Sequence, residues 1–161
     1  MATFGLGSAA SNEAFISRQK VEANTPWIAA SEGNLALLQH ALTTLSMPIT
    51  VADENGYTLL HAAASYDQIE IIRFLLGNSV NIHATDNDGD SALHYAGKAQ
   101  TAQILIEVGK ANPNQVNQEG KTPLDAKQEE MNEMMEDEDI EDDDEDLENV
   151  KGIVLYLSKL C

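Results

Sequence analysis

The chain has 161 residues, 27 acidic and nine basic, with a formal net charge of −18, and 43% of its residues are hydrophobic. This length and hydrophobic content fit one folded domain, and the negative charge disfavours direct binding to nucleic-acid phosphates or anionic membranes. A lone cysteine, Cys161, excludes an intramolecular disulfide framework and a cysteine-ligated zinc site.

The first 21 residues mix small and polar residues and contain no continuous apolar run. A secretory signal needs an apolar stretch of about 7–15 residues, and a membrane helix needs about 20, so neither is expected. We therefore expect residues 1–21 to form a flexible or partly helical segment. The expected compartment is the cytoplasm, the nucleus or both.

A short pattern built around a glycine recurs along the chain. Residues 53–61 align with residues 86–94 at an offset of 33, and with residues 117–125 at a further offset of 31. Small residues and then apolar residues at helical spacing follow the first two copies. A degenerate copy at residues 27–42 lacks the preceding turn. Self-similarity at this period is typical of a stacked repeat protein.

The chemistry of each repeat predicts a turn followed by a helix. Gly56, Gly89 and Gly120 occupy turn positions where the backbone needs a positive φ. A Thr or Ser follows each glycine by two residues and can cap the N-terminus of a helix. A single unit of this kind cannot bury its own apolar face, so neighbouring units must stack.

These copies resemble the ankyrin repeat, whose pattern runs Asp-x-x-Gly-x-Thr-Pro-Leu-His-x-Ala-Ala-x-x-Gly-His. The resemblance covers residues 22–161 and implies an all-α solenoid of four helix-turn-helix units joined by β-turn loops. The units span residues 22–54, 55–87, 88–118 and 119–161. Three departures stand out: Leu59 and Ala92 replace the proline, Asp67 with Gln68 replaces Gly-His, and the third unit lacks about three residues between its helices.

The resemblance assigns a structural role to the histidine and hydroxyl residues of the pattern, namely Thr58, His61, Ser91, His94 and Thr122. Equivalent positions on adjacent units lie roughly 10 Å apart, too far for His61 and His94 to share a metal ion. The chain also lacks the common motifs of nucleophilic, nucleotide-binding and zinc-protease sites. We therefore expect no enzymatic activity, no cofactor and no metal.

The resemblance also implies a protein-binding face made of the turn tips and the exposed side of each first helix. Tyr57 and Tyr66 are its expected anchors, because tyrosine is over-represented among interface hot spots. Ser31 and Glu32 are the matching positions of the first unit. We call the predicted residues of the other units the turn face: Glu54, Asn55, Tyr57, Ser65, Tyr66, Asn87, Asp88, Asp90, Lys98, Gln118, Glu119 and Lys121.

Residues 129–148, the acidic segment, interrupt the fourth unit with fourteen carboxylates and no basic residue. The rest of the chain has 13 acidic and nine basic residues, a net charge of −4. The methionines at 131, 134 and 135 share the spacing of one helix face, so the first half is expected to extend a helix and rest on the array. Residues 137–146 are expected to be disordered because they are too charged to pack.

The sequence leaves three interpretations of the acidic segment open. It could be a solubilising charge run, a weak binder of divalent cations, or an electrostatic clamp for a basic partner. An EF-hand is disfavoured because Asp142 stands where the calcium loop needs glycine. The residues of the clamp would be Glu136, Asp137, Glu138, Asp139, Glu141, Asp142, Asp143, Asp144, Glu145 and Asp146.

Together these features predict a monomeric, non-enzymatic interaction module. It would act as an adaptor or chaperone for a basic, histone-like or ribosomal-protein-like client, without contacting nucleic acid or membrane directly. One alternative is a stable subunit or inhibitor that covers a nucleic-acid-binding surface in a larger complex. Another is a scaffold whose acidic segment only confers solubility.

Overall fold

The computed structural model describes Ile16, residues 20–137 and residues 144–160. Within these ranges the regular structure is helical, and β-structure is limited to the isolated antiparallel bridges Ala52–Thr58 and Thr85–Ser91. The predicted all-α repeat fold is therefore confirmed. The helices are α1 (Thr25–Ser31), α2 (Leu35–Leu45), α3 (Leu59–Ser65), α4 (Ile69–Gly77), α5 (Ala99–Glu107), α6 (Pro123–Glu136) and α7 (Glu145–Leu157).

The helices stack in the order of the chain. α1 packs against α2 and α3, α3 against α4, α5 against α7, and α6 against α7. Buried alanines at positions 29–30 of α1 and 62–64 of α3 let neighbouring units approach closely, and the second helices supply many of the large apolar side chains between units. Those inaccessible to solvent include Leu38, Ile71, Ile72, Leu75, Leu105 and Ile153. Burying such side chains is the main stabilising contribution to the array.

Polar side chains set the helix starts. Asn34 accepts a hydrogen bond from the Leu37 amide at 3.0 Å, and Thr122 accepts one from the Asp125 amide at 3.2 Å. The Asp125 carboxylate in turn accepts the Thr122 amide at 2.9 Å, and this bond lowers the pKa of that carboxyl group. Thr122 belongs to the repeat pattern, whereas Asp125 replaces the histidine of that pattern, and together they mark the start of α6 in the sequence.

The three repeated turns share one construction. The side-chain oxygen of Asp53, Asp86 or Asn117 accepts two backbone amides, at distances between 2.8 and 3.0 Å. The glycine three residues later has a φ of +76°, +81° or +76°. The predicted positive φ of these glycines is thus confirmed, and the turns present their tips along one edge of the array.

The first helix of the third unit departs from the predicted helix-turn-helix pattern. Residues 92–95 form only turns, and the next helix begins at Ala99. The third unit lacks about three residues here, so its chain is too short to complete a first helix like α3. The expectation of a complete helix pair in this unit was therefore wrong, although Leu93 and Ala96 are still buried where first-helix residues belong.

A contact between units holds the shortened region. Asp67 adopts a left-handed φ of +55°, a conformation that aspartate tolerates better than most residues. Its Oδ1 accepts a hydrogen bond of 2.5 Å from the Thr101 hydroxyl, and Thr101 is 0% exposed. The same carboxylate occupies the space beside Gly97, where an added Cβ would lie 2.4 Å from Oδ2.

Replacing Thr101 with valine should lower the free energy of unfolding by about 1.5–3 kcal/mol, the usual contribution of a hydrogen bond to a charged group. Valine keeps the shape of threonine but cannot donate to Asp67. The matched control is Thr43→Val on α2, where an exposed hydroxyl donates to the Gln39 carbonyl. That change should cost less than about 0.5 kcal/mol. Equal losses in urea titrations of the two variants would count against the role given to Asp67.

The flanks of the acidic segment are ordered helix ends. α6 continues to Glu136, and Asp144 caps α7 by accepting the Asp146 amide at 2.9 Å. The expected disorder is thus wrong for residues 144–146, because the cap and the buried Leu147 anchor the start of α7. Met131 and Met134 are half-buried as expected, whereas Met135 is 62% exposed.

Two predicted segments lie largely outside the described residues. Of residues 1–21, the structure describes Ile16, Lys20 and Val21, and Ile16 is buried in the hydrophobic core. The clamp residues Glu138, Asp139, Glu141, Asp142 and Asp143 also lie outside the described ranges.

Candidate protein-binding site

Backbone hydrogen bonds connect the tips of successive turns. The Asn87 amide donates to the Asn55 carbonyl at 2.8 Å, and the Gln118 amide donates to the Asp88 carbonyl at 2.9 Å. The side chains of Asn87 and Gln118 add bonds to the carbonyls of Glu54 and Asn87. These two members of the predicted turn face therefore help to hold the units together.

The two pattern histidines lie beneath the turns and bridge neighbouring units. His61 Nδ1 lies 2.8 Å from the Thr58 hydroxyl, and its Nε2 lies 3.0 Å from the Asp90 carbonyl of the next unit. His94 repeats this geometry, with its Nδ1 3.0 Å from the Ser91 hydroxyl and its Nε2 3.2 Å from a carbonyl of the fourth unit. Burial lowers the pKa of His61, which favours the neutral ring that these bonds require.

An aromatic cluster lies directly below the turn tips. The Tyr57 ring stacks on the His61 ring at a centroid distance of 5.3 Å, and the Tyr95 ring meets both edge-on at 5.2 and 5.6 Å. The Tyr95 hydroxyl donates a 2.6 Å hydrogen bond to Asp86 Oδ2. Burial raises the pKa of both tyrosines, and the hydrogen bond to Asp86 raises the pKa of Tyr95 further. The cluster gives this face a rigid, uncharged aromatic floor.

Tyr95 was absent from the predicted site residues. It occupies the position that Ala62 has in the preceding unit, and that contrast was the available signal in the sequence. Its packing against Tyr57 depends on how two units stack, which the repeat pattern alone does not specify. Tyr66, one of the two predicted anchors, is 63% exposed at the end of α3, whereas the other, Tyr57, is half-buried in the cluster.

A cavity of about 560 Å³ opens between the turns of the third and fourth units, and we call it the turn pocket. The Lys121 ammonium within it pairs with Glu119 at 2.7 Å and with Glu129. Hydrogen bonds to these two carboxylates raise the pKa of Lys121 and so keep it charged. The lining residues are Asp88, Asp90, His94, Tyr95, Asn117, Gln118, Glu119, Lys121, Ala126 and Glu129.

A second cavity, of about 490 Å³, brings the acidic segment to the exposed ends of the first helices, and we call it the acidic groove. Lys98 Nζ lies 3.8 Å from Glu145 Oε1 across it. This pair is solvent-exposed, so it contributes little to stability. Its distance shows how close the acidic segment lies to the exposed ends of the first helices. The groove is lined by Ser65, Asp67, Gly97, Lys98, Glu130, Met134, Glu145, Asp146, Asn149 and Val150.

Each of the two cavities is lined by some of the predicted site residues. The turn pocket collects Asp88, Asp90, Gln118, Glu119 and Lys121, and the acidic groove collects Ser65, Lys98, Glu145 and Asp146. Of the other predicted residues, Glu54 and Asn55 are exposed at the tip of the first repeated turn, and Glu136 and Asp137 are exposed at the end of α6.

In the described part of the chain, no group of three or more His, Cys, Asp or Glu side chains could hold a metal ion. None of the helices in the described ranges is long and apolar enough to cross a membrane. The described residues instead form a surface of polar turn tips above the aromatic cluster, with carboxylates lining the turn pocket and the acidic groove.

Comparison with known families agrees with this architecture. A family model described as "Ankyrin repeats (many copies)" matches residues 43–96, and one described as "Ankyrin repeat" matches residues 88–118. The chain is an ankyrin-repeat protein. Ankyrin repeats are protein–protein interaction modules.

Curated relatives share part of this array. An ankyrin repeat-containing protein of Schizosaccharomyces pombe is 35% identical over 94 residues, which is 58% of this chain and 45% of the relative. Human ankyrin repeat and SOCS box protein 3 is 33% identical over 111 residues, 63% of this chain and 20% of the relative. An IkB-like protein of African swine fever virus is 33% identical over 82 residues, which is 47% of this chain and 34% of the relative. The matched part thus spans less than half the length of these relatives.

Proposed function

We propose that the chain is a non-enzymatic adaptor or chaperone that binds a basic protein client, histone-like or ribosomal-protein-like, in the cytoplasm or the nucleus. The observation that carries the proposal is the acidic groove, where Glu145 and Asp146 lie beside Ser65 and Lys98. One partner seated on the turn face can therefore contact the acidic segment at the same time.

Electrostatics makes a basic client the best match. Fourteen of the 27 acidic residues belong to the acidic segment, which contains no base. A concentrated negative field speeds the encounter with a positively charged partner and makes binding sensitive to salt. It also repels phosphate groups, which supports a protein client over direct binding to nucleic acid.

The proposal is best tested by neutralising charges rather than by deleting residues 129–148. Deletion would remove half of α6 and the buried Leu147, and so would destabilise the fourth unit. The test variant combines Glu136→Gln, Glu145→Gln and Asp146→Asn. The control combines Glu22→Gln, Glu70→Gln and Glu107→Gln, which also lie on the exposed surface. Both variants have a net charge of −15.

The test variant should bind purified core histones about tenfold more weakly at low salt, the combined effect of losing three exposed ion pairs. The control should change affinity much less, because its charges lie away from the turn face. Fluorescence anisotropy over a range of salt concentrations measures both. Equal weakening of the two variants, or unchanged binding of both, would contradict a local clamp, and failure of the wild-type chain to bind histones at low salt would contradict a basic client.

The alternative function makes a different prediction in the same assay. A stable subunit or inhibitor that covers a nucleic-acid-binding surface would form a stoichiometric complex that survives high salt. An adaptor or chaperone would release its client as salt rises, since screening shortens the electrostatic range to about 8 Å at physiological ionic strength.

A further inference from the structure

The turn pocket combines features that together match one kind of side chain. It presents four carboxylates, from Asp88, Asp90, Glu119 and Glu129, against the single ammonium of Lys121. Lys121 is already paired with the last two of these. Neither Asp88 nor Asp90 pairs with a lysine or arginine in the described part of the chain, although Asp90 lies 3.8 Å from His94. Two carboxylates are therefore left to receive an external cation.

Tyr95 adds an aromatic wall beside these carboxylates. Tyr57, His61 and Asp86 hold its ring in place through the contacts described above. Asp90 is also positioned, since its Oδ1 accepts a 2.8 Å hydrogen bond from the Asn117 side chain. Because Tyr95 and Asp90 are already held in place, a ligand that enters the pocket costs them little conformational entropy. This is the usual benefit of a pre-organised site.

We infer that the turn pocket holds an arginine side chain of the client. A planar guanidinium can lie against an aromatic ring while donating paired hydrogen bonds to a carboxylate, and an ammonium cannot do both equally well. The volume of about 560 Å³ lies within the range of ordinary ligand sites and accommodates a whole arginine side chain. This inference rests on the proposed function and adds the residue type that anchors the client.

The inference can be tested without knowing the client. The probes are two octapeptides, one of four glycine–arginine pairs and one of four glycine–lysine pairs, titrated into the ¹⁵N-labelled full chain. The arginine peptide should shift the backbone amide signals of Asp88, Asn117 and Lys121, and should bind several-fold more tightly than the lysine peptide.

Two variants and a matched control locate the binding. Asp88→Asn should weaken the arginine peptide about fivefold, the effect of losing one partly exposed ion pair. The matched control Glu70→Gln removes one exposed charge from α4, outside the pocket and the turn face, and should have at most about a twofold effect. Tyr95→Leu should abolish the preference for arginine over lysine. Because Asp88 is exposed, its variant tests the pocket even if Tyr95→Leu destabilises the fold.

The outcomes separate this inference from the proposed function. Equal affinity for both peptides, an equal effect of Asp88→Asn and Glu70→Gln, or shifts confined to the acidic segment would overturn the arginine pocket. Histone binding would then still support a basic client. If neither peptide nor core histones bind at low salt, both the pocket and the basic client are wrong.

Discussion

Replacing Gly89 with alanine should lower the free energy of unfolding by about 2–5 kcal/mol. The φ of Gly89 is +81°, a conformation that costs a residue with a Cβ about 1–2 kcal/mol. An added Cβ would also lie 2.8 Å from the Gln118 backbone nitrogen. That nitrogen donates the hydrogen bond joining the third turn to the second, so the clash disrupts a contact between units. Forcing such an overlap costs about 1–3 kcal/mol more.

Gly120→Ala is the matched control for this prediction. Gly120 occupies the same turn position, and its φ of +76° imposes a similar conformational cost. No heavy atom other than those of Gly120 and its two chain neighbours lies within 4 Å of an added Cβ, so this variant should lose only about 1–2 kcal/mol. Urea titrations followed by circular dichroism measure both variants. If the two losses are the same, contact between the turns does not limit substitution at Gly89.

The comparison of Gly89 and Gly120 illustrates what the sequence can and cannot predict. The positive φ of both glycines follows from the turn pattern, as do the cap at Thr122 and the buried alanines of the first helices. These features are local, so a repeat of 31 to 33 residues is enough to locate them. The clash at Gly89 is specific to that position because another turn lies against it, and only the stacked structure shows this.

The same distinction applies to the candidate site. The sequence predicted the turn tips as a face, because their position in each unit follows from the repeat. It did not predict that Tyr95 joins Tyr57 and His61, since these residues come from different units. Charge alone suggested disorder up to residue 146, but the Asp144 cap and buried Leu147 stabilise the start of α7. Local caps and packing outweighed charge repulsion there.

Replacing His61 with alanine should lower the free energy of unfolding by about 2–3 kcal/mol near neutral pH, because the hydrogen bonds to Thr58 and the Asp90 carbonyl are both lost. His40→Ala is the control, since His40 is a half-exposed residue of α2 with no hydrogen bond from its side chain among the described residues. It should cost less than about 0.5 kcal/mol. Equal losses would contradict a bridging role for His61.

The effect of His61 should also depend on pH. Because burial lowers its pKa in the folded state, the unfolded chain takes up a proton near pH 6.5 while the folded chain resists it. The contribution of His61 to the stability of the wild-type protein therefore falls as the pH drops below about 6.5. The alanine variant lacks this titration. The difference in free energy of unfolding between the wild-type protein and the variant, which we call the stability deficit, should therefore become smaller as the pH falls from about 7.5 to 5.5. Urea titrations at a series of pH values measure the deficit. A deficit that widened as the pH fell would mean that the folded state favours a protonated ring, which would overturn the neutral bridge between the second and third units.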